Sequence, residues 1–165
     1  MTDDWLLRAE EICLQCGGHC CNEANPPITH QCYERLRKEG VPADYFETAG
    51  YRRMRSRPDG TCICSKDGKC SIHAIKPETC RAGPFTFDVR NDVIEIFLKF
   101  ESICPVVGLL KEVPAAYDVQ YSLAVQSITH LVSHLTDEEL AAICSIDEPE
   151  TEKVAEIPRK RPGLQ

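Results

Sequence analysis

The segment CLQCGGHCC places four thiols within nine residues: Cys13, Cys16, Cys20 and Cys21. Five more follow at close spacing, Cys62, Cys64 and Cys70 in TCICSKDGKCSIH, Cys80 in IKPETCRAGP and Cys104 in ESICPVV. Thiolate is a soft ligand, suited to zinc, copper(I) and iron–sulfur clusters and ill suited to magnesium or calcium. Four chemistries use sulfurs packed so tightly: disulfides, a zinc site, an iron–sulfur cluster or a redox dithiol. The total of 11 cysteines is odd, so an all-disulfide monomer would leave one thiol unpaired. The spacing matches neither the bacterial ferredoxin run nor the C-x3-C-x2-C pattern of radical enzymes, because Cys20 and Cys21 are adjacent.

The compartment bears on that choice. The N-terminus, MTDDWLLRAEE, is acidic where a secretory signal is basic, and it lacks the necessary apolar run. No stretch approaches the roughly 20 apolar residues that span a bilayer. A cytoplasmic location is therefore expected, and in a reducing compartment clustered cysteines signal metal or redox chemistry before a disulfide scaffold. The formal net charge of −7 argues against general binding to nucleic acid or anionic membranes. At 165 residues, 42% hydrophobic and 27% charged, the chain reads as one ordinary globular domain, small enough for a metal to contribute to its stability.

The elements that must position these thiols are legible from periodicity. DDWLLRAEEICLQC has a helical rhythm in Trp5, Leu6, Ala9, Ile12 and Cys13, with Cys13 and Cys16 three apart on its last turn and Gly17-Gly18 as the stop. Thr29 is an N-cap for a short helix that ends at Gly40, with Ile28 and Tyr33 at hydrophobic-staple positions. Pro42 opens another short helix through Phe46, and YRRMRSRPDG reads as a basic loop. TCICSKDGKCSIH reads as two short strands around Asp67-Gly68, with Cys62 and Cys64 on one strand face and Cys70 opening the return strand. PFTFDVRNDVIEIFLKF is a β-hairpin turning at Asn91-Asp92. From Ala115 a long amphipathic helix carries Tyr117, Tyr121, Ala124, Val125, Ile128, Leu131, Val132 and Leu135. A T-x-x-E capping box at Thr136 and Glu139 opens a last helix. Cys32 and Cys144 each fall on a predicted helix, apart from the clusters. From about Asp147 the chain is polar and ends PRKRPGLQ, the composition of a disordered tail. The expected class is α+β, a small metal-stapled domain over residues 1–146 with helices at both ends and hairpins between, followed by a flexible charged tail over 147–165.

Taken together, CLQCGGHCC, DGTCICSKDGKCSIHAIKPETCRAGP and the later Cys-Pro resemble the CxxCxxCC family of zinc- or iron-chelating domains, over roughly residues 13 to 105. The resemblance implies eight ligands: Cys13, Cys16, Cys20, Cys21, Cys62, Cys70, Cys80 and Cys104. Two departures stand out. Three residues separate Cys16 from Cys20 where the family usually has two, and Cys64 is an extra thiol. Eight thiols suffice for two tetrahedral zinc sites, or for a four-thiol cluster with sulfur to spare. The resemblance tips the balance toward an iron–sulfur cluster, of the 4Fe–4S type, because larger relatives similar to flagellin-lysine methylases are held to carry one.

The remaining polar residues read more plainly. His73 stands at a C-x-x-H spacing from Cys70, but a packed strand residue is the simpler reading. His130 and His134, four apart, lack the glutamate of H-E-x-x-H and read as surface residues. His19 adjoins the thiols and is placed to support one of them. Arg52, Arg53, Arg55 and Arg57 make a solvated basic loop. Arg81, beside Cys80, is the better candidate to compensate thiolate charge at a bound cofactor. No nucleophile–base set, phosphate loop or dinucleotide fingerprint is present. The expected function is a Cys-ligated metal protein, iron–sulfur in form, with a redox, metal-handling or regulatory role. A structural zinc module that binds a protein partner and a metal-dependent, methyltransferase-like protein-modifying enzyme are the alternatives.

Overall fold

A computed structural model describes residues 4–17, 24–146 and 150–160. The first helix, α1 (Asp4–Cys16), forms where the apolar rhythm predicts it, yet none of its residues is fully buried, and Leu6, Leu7 and Leu14 face solvent. Trp5 packs against the main core, and Arg8 reaches Glu112 at 3.1 Å. Thr29 caps α2 (His30–Lys38) by accepting a hydrogen bond from the Cys32 backbone N–H at 3.1 Å.

Beyond α2 the expected short helix is a single 3-10 turn, Ala43–Tyr45, and the basic segment is not wholly a loop. Phe46–Thr48 (β1) pairs antiparallel with Arg52–Met54 (β2). The reason lies in Met54, fully buried, and in the uses found for each arginine of that strand. Arg52 stacks over the Tyr33 ring at 4.1 Å, and Arg53 approaches Glu47 at 3.4 Å.

The second cysteine group lies on β3 (Ser65–Lys66), β4 (Lys69–Cys70) and the helix α3 (Glu78–Ala82). The expected Asp67-Gly68 turn is present, with φ of 52° and 76° at its two central residues, the left-handed pair that a tight hairpin requires. Cys62 and Cys64 precede β3 rather than sharing its face: Cys62 makes an isolated bridge to Ser56, and Cys64 sits in a turn. Cys70 closes β4 rather than opening it.

The predicted hairpin is β5 (Phe85–Arg90) and β6 (Val93–Lys99), joined at Asn91 with φ of 55°. Two helices in direct succession, α4 (Val106–Glu112) and α5 (Pro114–Ser133), precede α6 (Asp137–Cys144), whose capping box at Thr136 and Glu139 is formed in both directions. Antiparallel hairpins with helices on either side of them in the chain, α1 and α2 before and α4 to α6 after, make the architecture α+β.

The charged segment read as a disordered tail is, over Thr151–Pro158, a third strand, β7, that makes β6 the centre of a β5-β6-β7 sheet. A register shift opposite Ile96 and Phe97 pairs them with Ala155 and Lys153, so Val154 is bulged out. That bulge puts apolar Val154 and Ala155 side by side and breaks the two-residue alternation that would mark a strand in sequence. Lys153 pairs with the largely buried Glu95 at 2.7 Å, and Arg159 with Asp137 at 2.7 Å, fastening the charged segment to the sheet and to α6. Pro158 is tolerated because β7 is an edge.

Two cores result. One joins the sheet to α4, α5 and α6 around Phe85, Ile96, Leu98, Ile128 and Leu131. The other, smaller, gathers Ile28, Leu36, Phe46 and Met54 from the α2–β2 region around two of the thiols, Cys62 and Cys64.

Candidate metal centre

Cys13 is exposed and Cys16 half-buried, both at the C-terminal end of α1. The helix stops because Gly17, at φ 71°, turns its N–H back onto the Cys13 and Leu14 carbonyls at 3.3 Å. At that point α1 meets the tip of the β3–β4 hairpin. A Cβ placed on Gly68 would lie 3.3 Å from the Gly17 carbonyl oxygen and 3.5 Å from its Cα. Only a residue without a side chain permits this approach while holding φ at 76°. The approach brings the end of the first cysteine segment against the turn of the second.

Cys20 and Cys21, with His19, lie outside the described residues. The chain that follows them is pinned to β2. Asn25 Nδ2 donates to the Met54 carbonyl at 3.0 Å and to Ser56 Oγ at 2.9 Å, Met54 N–H donates to the Pro26 carbonyl, and Ile28 N–H to the Arg52 carbonyl. Ser56 is also the bridge partner of Cys62. On either side of Cys20 and Cys21, Gly17 lies beside the tip of one thiol-bearing hairpin and Asn25 beside the strand that leads into it.

Cys62 and Cys64 are buried; Cys70, Cys80 and Cys104 are half-buried. The Cys64 thiol is hydrogen-bonded to Cys62, and the charges of Cys62, Cys70 and Cys80 all bear on it. Their shared hydrogen bond lowers Cys62, helped by the Arg57 guanidinium, and raises Cys64, so the pair tends to keep one proton and expose one thiolate. Cys104 packs at the edge of the main core just ahead of α4, and α4 in turn contacts α1. Among the described residues no group of three or more His, Cys, Asp or Glu side chains stands ready to hold a metal ion. The donor chemistry nonetheless fits a thiolate-seeking metal: sulfur from two segments, held together by a close glycine–glycine approach.

The polar residues flagged from sequence sort themselves by burial. His73 is exposed on a 3-10 turn, His73–Ile75, and is not a packed strand residue. His130 and His134 are surface residues of α5 and its C-cap, their rings 4.3 Å apart. Arg57 is exposed, as the solvated-loop reading expects, and also donates to the Cys62 and Ile63 carbonyls, bracing the thiol-bearing turn. Arg81 ends α3, its Nε buried without a hydrogen-bond partner among the described residues, and its positive charge reaches Cys32.

Glu78 has no signal in the sequence, yet it is 1% exposed at the start of α3, two residues before Cys80. Its carboxylate faces His130 Nδ1 at 3.4 Å and hydrogen-bonds with Cys32. Glu78 is buried because α3 packs flat on α5, a contact between distant parts of the chain.

Burial and the negative charge of Glu78 push the Cys32 thiol from 9.0 up to about 11, against the smaller pull of Arg35 and Arg81. Because the folded value lies above the unfolded one, this thiol's contribution to stability is complete below pH 9 and is lost as pH rises through 11. The loss amounts to something on the order of 2–3 kcal/mol. Denaturant unfolding should therefore show the stability gap between the native chain and Cys32→Ala narrowing from pH 8.5 to pH 11. A gap that stays constant would mean the thiol ionises at its ordinary value.

A family model, CxxCxxCC, described as "Putative zinc- or iron-chelating domain", matches residues 12–105, more than half of the chain. No curated protein and no solved structure matches. No helix among the described residues is long and apolar enough to cross a membrane.

Proposed function

The chain belongs to the CxxCxxCC family of zinc- or iron-chelating domains, and from that premise we propose that it is a Cys-ligated metal protein whose centre is an iron–sulfur cluster of the 4Fe–4S type. The ligands are drawn from Cys13, Cys16, Cys20, Cys21, Cys62, Cys70, Cys80 and Cys104. The observation that carries this reading is the contact of Gly17 with Gly68, which joins the two cysteine segments at their tips. Such a centre would supply one-electron chemistry or a metal-dependent conformational state, and its work is redox, metal-handling or regulatory. Arg81 offsets thiolate charge near Cys80. The half-burial of Cys16, Cys70 and Cys80 supports a centre within reach of solvent.

A closed zinc centre in an interaction module is the second reading. It is favoured by one feature, the full burial of Cys62 and Cys64 in the smaller core. Anaerobic purification followed by iron, sulfide and zinc analysis and an absorption spectrum separates the two. Stoichiometric iron with sulfide and a brown colour is the expected outcome. Colourless protein with stoichiometric zinc would establish the second reading. Metal-free protein with native-like structure would overturn both.

A further inference from the structure

Three sulfurs meet in the smaller core. Cys64 Sγ lies 3.7 Å from Met54 Sδ, and the Cys64 thiol is hydrogen-bonded to that of Cys62. Met54 is fully buried, Cys64 is 2% exposed and Cys62 is 8% exposed, so the group opens to solvent on the Cys62 side only. Neither Cys64 nor Met54 belongs to the eight thiols that the family pattern implies. We propose that Met54, Cys62 and Cys64 form a soft-metal site of their own, taking one monovalent d10 ion such as copper(I).

The separation of Cys64 from Met54 suits a shared ion. An ion about 2.3 Å from each of two sulfurs 3.7 Å apart subtends roughly 107° at the metal, close to the tetrahedral value. The donor type selects the ion: a neutral thioether beside two thiolates is a soft set, whereas zinc takes four thiolate, imidazole or carboxylate ligands. Charge selects it too. Two thiolates and a monovalent ion leave one negative charge, and the neighbouring charged group is Arg57, whose guanidinium donates to the Cys62 carbonyl at 3.3 Å and the Ile63 carbonyl at 3.0 Å. The turn is also held ready. Ser65 N–H donates to the Cys62 carbonyl, Ser71 N–H to the Cys64 carbonyl, and Ile63 N–H to the Arg55 carbonyl, which directs the C-x-C side chains inward before any ion arrives.

The site shares Cys62 with the family set but does not require that set to hold iron or zinc, and the test keeps the two apart. The chain has two methionines, Met1 and Met54, so selenomethionine substitution places selenium in the proposed site. Full-length protein with its resident metal receives one equivalent of copper(I) under anaerobic conditions. Selenium-edge absorption should then show copper at bonding distance, and Met54→Leu, a shape-conserving change in a core, should weaken copper(I) binding while leaving iron or zinc content unchanged. Cys64→Ala should weaken copper(I) binding by more than the roughly 10–100-fold that follows loss of a metal's supporting partners. Bound copper without a selenium–copper path, or equal affinity in the native, Met54→Leu and Cys64→Ala chains, would overturn the site. Iron and zinc analysis of the same samples reports separately on the family centre.

Discussion

Cys80→Ala and Cys16→Ala are each expected to strip the protein of its bound iron or zinc and to destabilise it by several kcal/mol. The two residues come from the two segments that meet at Gly17 and Gly68, so a shared centre loses a ligand in either variant. Metal bound to a folded site and not to the unfolded chain contributes its binding free energy to folding, about 10–16 kcal/mol for structural zinc in small domains. Part of that is at stake here, because residues 26–75 rest on the small core around Ile28, Leu36 and Met54. The other core, built on β5, β6 and β7, contains no residue of the first cysteine segment. Hydrogen exchange should therefore quicken across residues 26–75 while the amides of Phe85–Lys99 stay protected. Cys32→Ala and Cys144→Ala, on α2 and α6, should keep full metal content. Full metal content in the Cys16 and Cys80 variants would show that the ligands lie elsewhere.

Ending the chain at residue 149 is expected to lower thermal stability without changing metal content. The removed segment contains β7, whose Val154, Ala155 and Ile157 pack on the main core. Three half-buried side chains at about 1.5–3 kcal/mol for full burial amount to roughly 3 kcal/mol. Removal also uncovers β6, whose Ile94, Ile96 and Leu98 are almost wholly buried, and leaves Glu95 without Lys153. For a chain of this length 3 kcal/mol corresponds to a fall of about 6–12 °C in Tm. A calorimetric midpoint unchanged by the truncation would mean that the strand adds nothing to the sheet. The metal should stay, because β7 pairs with β6, whereas the two cysteine segments meet at Gly17 and Gly68.

Much of the local structure was legible because it depends on neighbours in sequence. Thr29 and Thr136 cap helices through groups three residues away, Asp67-Gly68 and Asn91-Asp92 turn hairpins through their own backbone preferences, and the stripe from Ala116 to Val132 follows the helical period. The thiol spacing likewise announces soft-metal chemistry before any fold is known. Both the hairpin and the long helix gave strong signals because each has one dry face over its whole length.

The rest was decided by contacts between distant residues. Thr151–Pro158 is a strand only because the free edge of β6 offers it hydrogen bonds, and its bulge at Val154 erases the alternation that would have revealed it. Glu78 reads as an ordinary acidic helix start, and its burial follows from the packing of α3 on α5. Spacing placed Cys62 and Cys64 on a strand face, whereas the core around Met54 draws both thiols inward from a turn. The sequence by itself therefore determined which atoms are available for chemistry and which short elements carry them. Tertiary structure alone decided which thiols share surroundings, because that rests on Gly17 and Gly68, 51 positions apart, meeting so closely that a Cβ on Gly68 would crowd the Gly17 carbonyl.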